Sequence, residues 1–218
     1  GLMAGHSLGE FTALAAAGAM SFEAGLRLVR ERGRLMKEAG TRQPGAMAAL
    51  LGLDAEQARA VCAQASQQTG GVLVVANDNC PGQLVLSGDE PTLDAGMALA
   101  KEAGAKKAIK LAVSIASHSP LMASASAAFR MALLATDFHP PSVPVYGNVD
   151  AAPLTTVDAI RSELDRQLTN SVRWTESVRA MIAAGAARFV ELGPKDVLAG
   201  MMKRIDRSAP GVALNSVE

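Results

Sequence analysis

Apolar residues fall into two textures along the chain, one of helical spacing and one of short runs. Leu28, Val29, Leu35 and Met36 share one side of a helix expected from residue 22 to about residue 39. Ser21 can cap it, Glu23 suits the positive end of its dipole, and Gly40 is the expected stop. Ahead of it, residues 1–4 read as the tail of a buried strand and residues 10–18 as a helix rich in Ala and Leu. A strand tail with nothing before it carries the expectation that upstream sequence is absent.

From Gly45 the pattern shortens. Strands are expected at 46–53, 72–76, 83–87 and 107–113, with a turn over 77–82. Helices are expected at 54–68, capped by Asp54, and at 91–103, ended by Gly104. The order β-α-β-β-α-β matches the ferredoxin-like pattern, so residues 43–113 are expected to form a small inserted domain. Residues 1–42 and 114–218 would form the main body. There, helices at 121–134, 157–168, 175–184 and 197–205 alternate with strands at 143–146 and 188–192. That alternation argues for α/β architecture, with a parallel sheet covered on both faces.

Composition narrows the function classes. With 21 basic and 21 acidic residues, nothing global favours nucleic acid or an anionic membrane as partner. No apolar stretch is long enough to span a bilayer. Cys62 and Cys80 lack metal or redox spacing and read as ordinary thiols, so a cytosolic location is expected. Aromatics make up only 3% of the chain, which leaves a core of Ala, Leu, Val and Met suited to helices packed on a sheet.

Candidate chemistry begins at Gly5-His6-Ser7-Leu8-Gly9, a G-x-S-x-G between strand and helix. This is the setting of a nucleophile elbow, with the Leu8 N–H at the helix start placed to donate to an oxyanion. The same motif could be a mere turn. A nucleophilic serine needs a base, and the chain has three histidines. His6 adjoins Ser7 on a sharp turn and should point away from it. His139 lies beside prolines in an apparent surface loop. His118 remains, in the polar segment after the small domain, as base or as structural histidine. Asp78 and Asp89 are poorly placed as a third member, so a Ser–His dyad held by a carbonyl or amide is expected.

Arg32 lies on the apolar face of its helix, where a guanidinium needs a partner. That partner is either a structural carboxylate or a substrate carboxylate held in a bidentate fork. Gln167 shares a face with Ile160 and Leu164, and is either a satisfied core amide or a site residue.

These residues resemble the malonyl-CoA:acyl carrier protein transacylases of fatty-acid synthesis. Gly5 to Phe11 is similar to that family's GHSLGE elbow, and Val29 to Gly33 to its arginine motif. Val113 to His118 resembles its histidine segment, and Asn79 to Gln83 its N-x-P-G-Q turn. Arg166-Gln167-Leu168 resembles its glutamine motif, and Gly193-Pro194, Val197-Leu198 and Lys203-Arg204 its closing helix. The resemblance implies a hydrolase-like parallel-sheet core with a ferredoxin-like insert. It implies catalysis by Ser7 and His118, with Leu8 as oxyanion donor and Arg32 and Gln167 toward the substrate. Malonyl-CoA and acyl carrier protein would be the partners, and no metal or bound cofactor would be needed. The family's opening G-Q-G-S-Q loop has no counterpart here, so its first strands are expected to lie outside this sequence.

Rival readings are a polyketide-type acyltransferase with another extender unit, a malonate-decarboxylase transferase subunit, an esterase or thioesterase, and a non-enzymatic scaffold. An esterase gives no reason for Arg32 on an apolar face.

Overall fold

A computed structural model describes residues 1–215. Strand β1 (Met3–Ala4) runs directly into helix α1 (Leu8–Ala16), and α2 (Phe22–Arg42) follows. The Ser21 hydroxyl caps α2 by accepting from the Ala24 N–H at 3.2 Å. The helix continues past Gly40 to Arg42, against the expected stop. Gly40 is small for packing: a Cβ there would meet Ile115 at 3.0 Å, on the segment leading to His118.

Strands β2 (Ala46–Leu51), β3 (Leu73–Cys80), β4 (Gln83–Gly88) and β5 (Lys107–Lys110) form an antiparallel sheet in the order β3-β4-β2-β5. Helices α3 (Ala55–Thr69) and α4 (Glu90–Glu102) cover it, burying Leu50, Ala58, Val61, Leu84, Leu86 and Leu93. Asp54 and Gln57 close a reciprocal capping box at the start of α3. β3 reaches Cys80, through residues expected to turn. Asn77, Asp78 and Asn79 are buried because their polar groups find partners across the chain. The Asp78 N–H donates to the Val172 carbonyl at 2.9 Å, and the Thr175 hydroxyl donates to the Asp78 carboxylate at 2.6 Å. These bonds tie the small sheet to the rest of the protein.

After the short turn Pro120–Met122 come α5 (Ala123–Leu134), β6 (Val145–Tyr146), β7 (Pro153–Leu154) and α6 (Val157–Gln167). The chain then forms α7 (Trp174–Ala183), β8 (Phe189–Leu192), α8 (Val197–Ile205) and β9 (Gly211–Leu214). In place of one continuous parallel sheet, the described residues form β1-β6-β7 and a separate β8-β9 pair. The pairs β1–β6 and β8–β9 are parallel. β7 returns antiparallel because the connection from Gly147 to Ala152 is too short for a crossover.

α1, α2, α5 and α6 enclose the main core around Phe11, Leu14, Leu28, Phe129, Leu133 and Leu164. Phe129 is fully buried and meets Phe11 edge-on, with centroids 6.2 Å apart. This core fixes α1 and α2 relative to α6, and so fixes Ser7, Arg32 and Gln167.

Candidate active site

Ser7 occupies the turn between β1 and α1 with φ +52° and ψ −106°, a region that residues with a Cβ rarely adopt. The turn is tight enough that a Cβ at Gly5 would lie 1.9 Å from the Gly9 carbonyl oxygen. Leu8 opens α1, so its N–H has no partner within the helix. The Ser7 N–H is engaged instead, donating to Asn148 Oδ1 at 2.6 Å. Of the two adjacent amides, only that of Leu8 stays open to a reacting carbonyl.

Two side chains meet at the Ser7 hydroxyl. His118 Nε2 lies 2.8 Å from Oγ, and Arg32 Nη2 donates to the same oxygen at 2.9 Å. His118 Nδ1 lies 2.8 Å from the Gln167 backbone carbonyl. A carbonyl only accepts, so Nδ1 carries the proton and Nε2 is left as acceptor for the serine hydroxyl. Burial pushes the His118 pKa down to about 4, helped by the Arg32 charge and opposed by the Gln167 carbonyl. The imidazole is therefore neutral near pH 7, as a base must be. A backbone carbonyl holds it where a carboxylate triad would place an acid.

The other two histidines are elsewhere. His6 Nε2 bonds Asn79 Oδ1 at 2.7 Å, and its ring tilts against Trp174. His139 is exposed, with Nε2 3.5 Å from Asp137 Oδ2.

Arg32 is only 6% exposed, and its Nε has no partner. Phe11 lies beneath the guanidinium at 5.8 Å. Burial pushes its pKa down to about 10, opposed by Glu10. Glu10 itself is fully buried and pushed well up, first by desolvation and then by the charge of Glu163, which favours its neutral form. Arg32 thus stays charged near pH 7 beside a hydroxyl and an aromatic face, near a carboxyl whose pKa burial pushes up.

Gln167 is fully buried, and its Nε2 donates to the Ser7 carbonyl at 3.0 Å and to Glu10. Its amide thus faces the elbow from beneath rather than an open pocket. Neither Glu10 nor Asn148 stands out in the sequence; the available signal is a Glu close to the serine in a helix otherwise rich in Ala and Leu. A cavity of about 750 Å³ borders the elbow, lined by Met3, His6, Trp174, Phe189 and Leu198 but not by Ser7. Both cysteines are free and buried, with Cys62 pushed up to about 12 by burial. Among the described residues no group of three or more His, Cys, Asp or Glu side chains could hold a metal. No helix among them is long and apolar enough to cross a membrane.

Residues 1–216 match the family described as acyl transferase domain. The malonyl CoA-acyl carrier protein transacylase of Bacillus subtilis is 43% identical over 215 residues, covering 99% of this chain and 68% of that protein. A solved acyl carrier protein S-malonyltransferase from Vibrio cholerae superposes with a TM-score of 0.94 at 42% identity, covering 99% of this chain and 70% of that one. A malonyl-transacylase solved in complex with a type II polyketide-synthase acyl-carrier protein gives 0.95 at 41% identity, covering 99% and 69%. On the elbow geometry and these likenesses together, the chain belongs to the acyl transferase domain family, among the malonyl-CoA:acyl carrier protein transacylases.

Proposed function

We propose that this protein moves a malonyl group from malonyl-CoA to the phosphopantetheine thiol of an acyl carrier protein, in fatty-acid synthesis, through an ester on Ser7. The observation that carries this reading is the meeting of a neutral imidazole and a buried guanidinium on one serine oxygen.

His118 Nε2 takes the hydroxyl proton as Ser7 Oγ attacks the thioester carbonyl carbon. The Leu8 N–H, aided by the helix start, stabilises the oxyanion. Collapse breaks the carbon–sulfur bond, and the departing thiolate of coenzyme A takes the proton from His118. The malonyl carboxylate rests on Arg32, whose planar guanidinium suits a bidentate fork. The carrier thiol then passes its proton to His118 and attacks the ester, and that proton returns to Ser7 as the carbon–oxygen bond breaks. Gln167 acts here as a positioning residue, through its carbonyl on His118 and its amide on Ser7.

A carrier protein of polyketide synthesis is the alternative acceptor, favoured by the likeness to a transacylase bound to such a carrier. We also infer a hydrolase-like core carrying a ferredoxin-like domain over residues 43–113; the strand order β3-β4-β2-β5 with α3 and α4 supports it. A cytosolic location fits the two free buried thiols.

The test is a two-stage transfer with labelled malonyl-CoA. Label should reach Ser7 first and move to the carrier thiol on addition of carrier protein. Release of free malonate at the same rate without carrier would make the protein an esterase.

A further inference from the structure

We infer that Asn148 is a positioning residue for the nucleophile, its side-chain amide holding the Ser7 elbow in its strained shape. The inference rests on Ser7 being the nucleophile of the proposed reaction. Asn148 is fully buried in the turn after β6. Its Oδ1 accepts from the Ser7 N–H at 2.6 Å, and its Nδ2 donates to the Gly5 carbonyl at 2.8 Å.

The pattern of these two bonds is informative. β1 and β6 pair in parallel, with Met3 opposite Val145 and Ala4 opposite Tyr146. Extended by two residues, that register sets His6 opposite Asn148. In a parallel ladder, the residue opposite His6 would bond the carbonyl before it and the N–H after it. The Asn148 amide makes both of those bonds. A side chain thereby continues the ladder past the end of β6, and the backbone of β1 can leave the sheet at Ser7 with φ +52° while its polar groups stay paired. The same contact keeps the Ser7 N–H out of the oxyanion site.

Asn148 is itself anchored. Its backbone carbonyl accepts from the Arg173 N–H at 2.8 Å, and the next residue, Val149, donates to Glu163 at 2.6 Å. The amide offers an acceptor and a donor on one planar head of this length. An ionised carboxylate would set a charge against the Gly5 carbonyl, and alanine would offer neither bond.

A protonated carboxyl, in contrast, has the amide's shape and both functions. The charged or titratable groups around Asn148 are Glu10 from α1, Glu163 and Arg166 from α6, Asp150 two residues on and Arg173 ahead of α7, with His118 and Arg32 beyond Ser7. Burial holds both glutamate carboxyls toward their neutral forms, so a carboxyl placed among them should protonate at accessible pH.

The experiment measures single-turnover acylation of Ser7 by malonyl-CoA, and in parallel sulfonylation of Ser7 by phenylmethanesulfonyl fluoride. Wild type, Asn148→Ala and Asn148→Asp are compared from pH 8 to pH 5.5, with the number of reactive Ser7 groups counted at completion. Asn148→Ala should react about 10–100-fold more slowly at every pH, as expected for a misplaced nucleophile, with an undiminished count. The ratio of Asn148→Asp to wild type should rise roughly tenfold as pH falls, because protonation rebuilds the donor. A flat ratio, an alanine variant within about twofold of wild type, a loss explained by fewer reactive sites, or failure of both variants to fold would overturn the inference. Wild type that sulfonylates without accepting malonyl would sink the malonyl reading alone, and the sulfonylation rates would still decide the role of Asn148.

Discussion

Replacing Arg32 by alanine separates a malonyl transferase from a generic serine acyltransferase. The guanidinium has two jobs in this geometry, and they concern different substrates. One nitrogen donates to Ser7 Oγ at 2.9 Å and serves any acyl donor. Its other N–H groups make no further side-chain hydrogen bond and are left for a carboxylate. Losing the charged hydrogen bond to Ser7 costs about 1.5 kcal/mol, roughly tenfold in rate. Losing a buried carboxylate partner costs about 3 kcal/mol more, roughly another 10²-fold. Malonyl transfer should therefore fall roughly 10³-fold and acetyl transfer roughly tenfold, so donor selectivity drops by their ratio. Arg32→Lys should recover little, because a point charge cannot reproduce the planar fork. The assay is kcat/KM for malonyl-CoA and acetyl-CoA with wild type and both variants. Equal losses for the two donors would mean that Arg32 does not hold the malonyl carboxylate and only supports the fold.

Other outcomes follow from the same geometry. His118→Ala should slow acylation by on the order of 10²–10⁴-fold, while His139→Ala should be silent, since its ring is exposed and pairs only with Asp137. The His118 pKa is depressed, so the base form persists as pH falls and is lost only through about 4; the acid limb of kcat/KM should lie there and not near 6.5. Arg32→Ala removes a charge that depresses that pKa, so its acid limb should move upward, and a downward shift or none would contradict the assignment. Phe129→Ala should destabilise the protein by about 3–5 kcal/mol in denaturant unfolding, because its ring is fully buried against Phe11.

The chemistry on repeating elements was readable in the sequence. Ser7 sits in a motif with a backbone reason for each glycine, and Arg32 breaks an apolar helical stripe. His118 could be reached because only three histidines exist and two have evident reasons to be elsewhere. The expected pairing of Ser7 with His118 rests on the same reasoning, since no acid is well placed in the sequence; the imidazole's other partner is a backbone carbonyl, which leaves no residue signature. What stayed hidden depends on long-range pairing. Asn148 meets Ser7 across 141 positions and lies in a loop with no periodicity to single it out. The run Asn77-Asp78-Asn79 has the composition of a turn, yet Val172, Thr175 and His6 satisfy it and extend β3. β7 is two residues long, too short to leave a pattern.

In the proposed reaction Ser7 carries the acyl group. Intact-mass measurement of the protein quenched in acid after mixing with malonyl-CoA, followed by peptide mapping, tests it without a carrier protein or a coupled assay. One malonyl ester per chain is expected, located on Ser7, absent from a folded Ser7→Ala variant and lost when a thiol acceptor is added. An adduct on any other residue, or an adduct that survives in Ser7→Ala, would contradict it.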